Sequence, residues 1–333
     1  MEIGPAYRGV GIPRKRFLCL LFASAVLLAV PASAQVTPNV TQFTLAGNVK
    51  VHYLYKLSNF AGVIPYGWVK VITENRENEI YVLTGSSVSI FSKSGMETYR
   101  FGYDPAYGNI YDASFNPDGT MLLLSYEGFK FWITRCNFRG EPIERIEPKN
   151  LPPEFSDILP NRVILQNNRL YLAEYGKMRV VVMEPDGTYA DGYDLTKILQ
   201  FPEDKLADTG MHNFNLDREG NFLFTMPVVA SAFIVSPDRT VRSFGKRGSA
   251  PGRLGIPVDM LRDGKGNYLV VDALKSAVLV FDKDFNFLME FGYRGKDPSN
   301  LISPKIMALD GEGRLYVVQA AKRGVNVYQL TYE

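Results

Sequence analysis

Little in this chain invites chemistry through cysteine or histidine. Of its 333 residues, two are Cys (Cys19 and Cys136) and two are His (His52 and His212). Cys19 falls in an N-terminal apolar stretch, so no disulfide within the mature chain is expected. A Cys/His zinc knuckle or a C-x-x-C-H haem site cannot be composed from what remains. No P-loop, G-x-S-x-G elbow or dinucleotide fingerprint occurs either. Long apolar runs are also missing. The stretch at residues 17–30 holds 14 residues, short of the roughly 20 that span a bilayer, so no membrane span is expected. Beyond the first 34 residues no run of Lys and Arg occurs, which removes the electrostatic footprint of a nucleic-acid or anionic-lipid binder.

The N-terminus carries a different signal. Arg8, Arg14, Lys15 and Arg16 precede the apolar stretch, and Pro31-Ala32-Ser33-Ala34-Gln35 follows it. This is the order of a secretory signal peptide, which puts cleavage after Ala34 and the mature chain in the periplasm or the medium. Leu18 stands before Cys19, where a lipobox needs a small residue, so the general secretory route is expected without lipidation. Residues 1–34 take four bases and one acid with them, leaving 33 Lys and Arg against 34 Asp and Glu. A near-neutral mature chain of residues 35–333 is long enough to bury about three quarters of its unfolded surface as a single domain.

What the chain has in quantity is β-branched and aromatic residues punctuated by Gly and Pro. One turn recurs: Asn78-Glu79-Ile80-Tyr81-Val82, Gly119-Thr120-Met121-Leu122-Leu123, Asn168-Arg169-Leu170-Tyr171-Leu172, Gly220-Asn221-Phe222-Leu223-Phe224, Gly266-Asn267-Tyr268-Leu269-Val270 and Gly313-Arg314-Leu315-Tyr316-Val317. Gly or Asn always leads, because a tight hairpin needs a positive φ that these two residues adopt at least cost. The spacings of 41, 49, 52, 46 and 47 residues fit four-stranded propeller blades. The reading is all-β: a six-bladed β-propeller with blades near residues 62–102, 103–151, 152–199, 200–248, 249–295 and 296–333. The sixth unit ends after three strands, and an orphan strand at residues 49–57 is expected to supply the fourth and close the ring.

The fifth unit, Phe244-Gly245 through Gly248, Pro251-Gly252, Pro257, Gly266 to Asp272 and Val280-Phe281-Asp282, resembles an NHL repeat. Phe291-Gly292, Pro304, Gly313 and Leu315 to Val318 repeat the pattern. Lys275 and Ala277 depart from the family's usual Asn and Arg. The resemblance implies a propeller that binds proteins, nucleic acid or small ligands, with lyases among its members, and does not by itself choose a function. The zinc site of the lyases that share this propeller is rich in histidine. His52, on the expected closing strand, and His212 cannot compose one.

Two series of inner-strand residues compete for the central channel. Asp112, Asn161, Asn213 and Asp259 form a polar series that could hold Ca2+ in the manner of a lactonase or esterase-like hydrolase. The series one residue earlier holds Lys70, Tyr111, His212 and Lys305, and a one-residue shift sends side chains to the opposite face of a strand. In lactonases the ligand directly follows a Pro-like position, and the residue that does so here is Val258 rather than Asp259, which favours the cationic series at the channel mouth. That series suits a small ligand or an anion and repels a metal. Loops between blades share one face, and residues 147–159 and 194–210 are long enough to be functional. Trp68, Tyr103, Tyr107 and Arg294 on the same face suit an interface with an extracytoplasmic protein partner. The sequence expectation is therefore a binding or scaffold module using Trp68, Lys70, Tyr103, Tyr107, Tyr111, His212, Arg294 and Lys305, with no catalytic residue named, no required cofactor and the small-ligand or Ca2+-dependent hydrolase as alternative.

Overall fold

Strands buried on both faces read as mostly apolar runs, and the central residues of the second and third strands of each repeat here do so. In the computed structural model, Ile80–Thr84 sends Ile80 and Val82 to one neighbouring blade and Tyr81 and Leu83 to the other. Met121–Glu127 does the same with Leu122 and Leu124 against Met121 and Leu123. This period of two builds six apolar clusters, one at each junction between successive blades, including the junction of the last blade with the first. The fold is a six-bladed β-propeller of antiparallel four-stranded sheets. The structure describes residues 42–44, 49–59, 62–63, 69–73, 79–84, 87–116, 118–201, 210–320 and 323–332. The expected leader, residues 1–34, lies outside them.

The first blade holds Val69–Thr73, Ile80–Thr84, Ser87–Phe91 and Glu97–Phe101, the second Asn109–Phe115, Met121–Glu127, Lys130–Cys136 and Pro142–Ile146. The third holds Arg162–Gln166, Arg169–Glu174, Arg179–Met183 and Tyr189–Asp194, and the fourth His212–Leu216, Phe222–Met226, Ser231–Val235 and Val241–Phe244. Pro257–Arg262, Tyr268–Asp272, Ala277–Phe281 and Phe287–Gly292 make the fifth; Pro304–Leu309, Arg314–Gln319 and Val325–Tyr332 supply the sixth blade with three strands. Its outer strand is Val49–Lys56, paired antiparallel with Val325–Tyr332 in the register Val49↔Tyr332 to Lys56↔Asn326. Tyr53 and Tyr328 meet edge to face across this seam at 5.8 Å, and the Tyr328 hydroxyl donates to Ser299 O. The N-terminal strand thus closes the ring, and no four-stranded sheet is left incomplete at the seam.

The turn between first and second strands takes positive φ wherever it is described: 87° at Gly119, 57° at Asn168, 83° at Gly220, 91° at Gly266 and 80° at Gly313. Asn78 lies outside the described residues. Several small features have no counterpart in the sequence reading. Gln42–Thr44 adds a fifth strand to the edge of the fifth blade, pairing with Phe287–Gly292, and Leu195–Ile198 forms one helical turn capped by the Asp194 carboxylate.

Candidate functional site

Two regions could carry function: the channel between the inner strands and the face built from the loops between blades. Short polar side chains on the inner strands each reach the next blade. Asp112 accepts from Val163 N at 2.8 Å and Ser114 from Leu165 N at 2.9 Å. Gln166 donates to Asp217 O, Asn215 to Met260 O, and Asp259 accepts from Met307 N at 2.7 Å. Each bond satisfies an inner-strand backbone group that has no strand beyond it, a net gain of about 1 kcal/mol apiece.

The period of two, on which the choice between the two channel series rested, breaks at this point. β-bulges fall at Tyr111, Asn213, Val258 and Lys305, each adding a residue with no partner opposite. The channel therefore draws on both series. Asn213, at φ 43°, donates to the carbonyls of Val258 and Lys305 at 2.9 and 3.2 Å, so one amide gathers two other bulges. Opposite, the Lys70 ammonium lies 3.2 Å from Asp112, donates to Asn161 O at 2.9 Å and sits 5.0 Å from the Tyr111 ring centre. Arg162 holds the same Asp112 oxygen at 3.1 Å. Burial lowers the Lys70 pKa, opposed by the Asp112 charge.

This arrangement corrects the placing of Lys70 at an open mouth: it is a plug that joins three blades. Between Lys70, Arg162, Tyr175, Asn215 and Asp259 remains a cavity of about 10 Å³, the room of about one water molecule. Arg162 and Tyr175 were missed by sequence reasoning, since only the fold brings them to the axis. The Tyr175 hydroxyl is buried, and burial raises its pKa.

The four metal candidates do not offer a calcium cage. Asp112 is bracketed by two cations, and Asp259 accepts from the amides of Met260 and Met307 and from Asn215. Asn161 spends its carbonyl on Tyr175 N and Asn213 its amide on the bulges. Among the described residues no cluster of three or more His, Cys, Asp and Glu could hold a metal. His212 opens the inner strand of the fourth blade with its ring partly exposed, and partial burial keeps its pKa low. His52 is exposed on the closing strand, far in the topology from His212.

On the loop-rich face, Tyr103 is 63 % exposed, and Tyr111, Arg294 and Lys305 are exposed. Trp68 lies outside the described residues. Tyr107 requires correction as a surface group: it is buried, its hydroxyl donates to Gly102 O and its carbonyl accepts from Trp132 Nε1. It folds its loop instead of offering a ring. The long connection 147–159 is likewise pinned down, with Phe155 and Ile158 in the core and Arg179 bonding Asp157 and Glu154 O. Residues 202–209 of the other long connection are outside the described set. The face instead exposes loop-tip side chains that sequence reasoning did not single out: Phe129 at 89 %, Leu274 at 68 % and Val228 at 55 %. A larger cavity, about 310 Å³, lies at the rim between Glu154, Tyr189, Asp191 and Arg239. Its charges pair with one another, Arg239 with Asp191 and Lys197 with Asp194.

The chain matches no protein-family model and no curated protein by sequence. Among solved structures it is similar to a protein of unknown function from Bacteroides thetaiotaomicron, at 16% identity over 87% of this chain and 77% of that one, with a TM-score of 0.58. It is also similar to virginiamycin B lyase from Staphylococcus aureus, solved as an inactive variant with quinupristin, at 13% identity over 88% and 99% of the two chains and a TM-score of 0.53. Hydrazine synthase from Kuenenia stuttgartiensis matches at 12% identity over 77% and 82%, TM-score 0.53. At these identities the likeness establishes the six-bladed propeller fold.

Proposed function

We propose that this chain is an exported binding or scaffold propeller of NHL-like type that presents its loop-rich face to an extracytoplasmic protein partner. One observation carries the reading: of 14 large apolar side chains exposed among the described residues, eight lie on the loop-rich face or at its channel mouth and two on the opposite turns. The turn face has no need of such residues, and a face that keeps them in water gains by covering them, about 1.5–3 kcal/mol for each side chain fully buried. The channel supports the same choice from the other side. A drug-sized ligand needs some hundreds of Å³, and the cavity between Lys70, Arg162, Tyr175 and Asp259 holds about 10 Å³.

The test is crosslinking in the cells that make the protein, comparing Phe129→Glu with Leu274→Glu against Met96→Glu with Phe138→Glu on the turn face. Loss of crosslinked partner in the first pair alone is expected. Turnover of a lactone or ester panel by the purified protein, dependent on added Ca2+, would overturn the reading in favour of the hydrolase alternative.

A further inference from the structure

The loop-rich face is electrically divided. Over the second and third blades the parts of the connections that reach this face carry Asp104, Glu154 and Asp157, with Lys177 and Arg179 both paired to Asp157, whereas Glu147 and Lys149 run along the hairpin 184–188 of the opposite face. Connections 245–256 and 292–303, over the fifth and sixth, carry Lys246, Arg247, Arg253, Arg294 and Lys296 against one acid, Asp297. Lys305 adds a further exposed cation beside them. Two further carboxylates lie beneath the connection 245–256 and both are buried: Glu290 is spent on Lys275 at 2.6 Å and Asp272 on backbone amides. Among the described residues Lys246, Arg253, Arg294, Lys296 and Lys305 form no ion pair.

Apolar side chains run through this cationic sector. Arg247 donates to Val228 O at 2.5 Å and its backbone bridges to Leu254, which places Val228 and Val229 beside the connection 245–256. Ala273 N donates to Ile256 O at 2.9 Å, and Leu274 packs over Gly255, which joins Ile256 to Leu274. The surface is held in place from beneath. The Lys275 ammonium bonds Ala250 O, Arg253 O and Glu290, while Asp272 accepts from Gly255 N and Ile256 N. Lys275, where the repeat departs from the NHL pattern, is thus the tether of this connection.

We infer that the sector over blades five and six, together with the loop tip Val228 and Val229 of blade four, docks an acidic protein segment that inserts apolar side chains between the cations. This rests on the proposed binding role and names the chemistry of its partner. Charge complementarity selects the acidic residues, and a preformed surface loses little entropy on binding. A plain polyanion such as an acidic glycan would gain nothing from Val228, Ile256 and Leu274, which is why a peptide with apolar side chains is favoured over it.

The probe is a short fluorescein-labelled peptide alternating Glu and Leu, read by anisotropy against the purified protein at low and high salt. Binding is expected to weaken with salt, and to weaken by about tenfold or more in the triple variant K246E/R253E/K296E and in L274S. Charge reversal on the turn face, K265E/K283E, is expected to leave it unchanged, and circular dichroism checks that each variant is folded. The inference is overturned if the peptide does not bind, if the turn-face variant weakens it equally, or if a Glu-Ser peptide, an acidic polysaccharide or anionic vesicles bind as tightly. Crosslinking that depends on Phe129 and Leu274 while the peptide fails would sink this inference and leave the binding role standing.

Discussion

The two faces of the propeller solve different problems, and their wiring differs accordingly. On the turn face one device repeats. The Oδ1 atoms of Asp217, Asp263 and Asp310 each accept the amides two and four residues ahead, all at 2.8–2.9 Å, with a positive-φ Gly between them. Asp282 is wired the same way, although Phe285 holds its positive-φ position at 67°. On the loop face each connection is anchored differently: Tyr107 to Gly102, Arg179 to Asp157, an Asp194-capped helical turn, and Lys275 to Glu290. Local geometry alone determines a hairpin, so the same residues recur. A connection between blades needs only some anchor, which leaves its exposed side chains free for recognition.

The sharpest way to break this comparison is to disturb the turn face. At Gly187 an added Cβ would lie 2.2 Å from Glu147 O with φ at +90°, so Gly187→Val is expected to cost about 3 kcal/mol or more. At Gly266 the nearest atom is Arg262 Nη2 at 3.6 Å, and Gly266→Val carries only the backbone strain, about 1–3 kcal/mol. Urea unfolding should rank them in that order with unchanged m-values. Equal costs would mean that φ alone matters and that the turn of the third blade gains nothing from its packing on the connection 147–161.

The same contrast explains what was legible in the sequence. The turn signature and the alternation of Ile80, Tyr81, Val82 and Leu83 between neighbours are local, and so six blades and the closing strand could be read directly. The channel could not, because bulges at Tyr111, Asn213, Val258 and Lys305 break the period that assigns residues to faces. Tyr107 misled for a related reason: an aromatic in a loop looks alike whether it lies over the loop or beneath it. Phe129, Val228 and Leu274 went unmarked because a single apolar residue in a short connection becomes informative only when its neighbours in space are known.

A second prediction concerns the channel, which belongs to neither face. Burial pushes the Asp259 carboxyl up to about 6, although the Met307 and Met260 amides, Asn215 and the Arg162 charge all act to lower it. In the unfolded chain Asp titrates near 3.9. Between these values the folded chain keeps a proton that the unfolded chain has released, so stability rises as pH falls through about 6 and the gain is complete near 4. Asp157, held at about 2 by Lys177 and Arg179, has the opposite sign, and its contribution fades as pH falls below about 4. His212, kept low by partial burial, also opposes the gain. The quantity to measure is therefore the difference in Tm between wild type and Asp259→Asn from pH 7 to pH 5. A relative gain for wild type equivalent to about 1 kcal/mol is expected over this range; parallel curves would show that Asp259 is already protonated or stays charged throughout.

The smallest expected effect is on the loop face, and its smallness is the point. Phe129 and Leu274 stand mostly in water at 89 % and 68 % exposure, so Phe129→Ser and Leu274→Ser remove little buried area and should change unfolding free energy by no more than about 0.5 kcal/mol. The same substitutions should weaken partner binding by about 1 kcal/mol or more each, because an exposed ring or isobutyl group gains its contacts only when a partner covers it. Urea unfolding and partner crosslinking on the same preparations separate the two quantities. If these variants lost stability in proportion to binding, Phe129 and Leu274 would be packing residues, and the division between a structural face and a recognition face would fail.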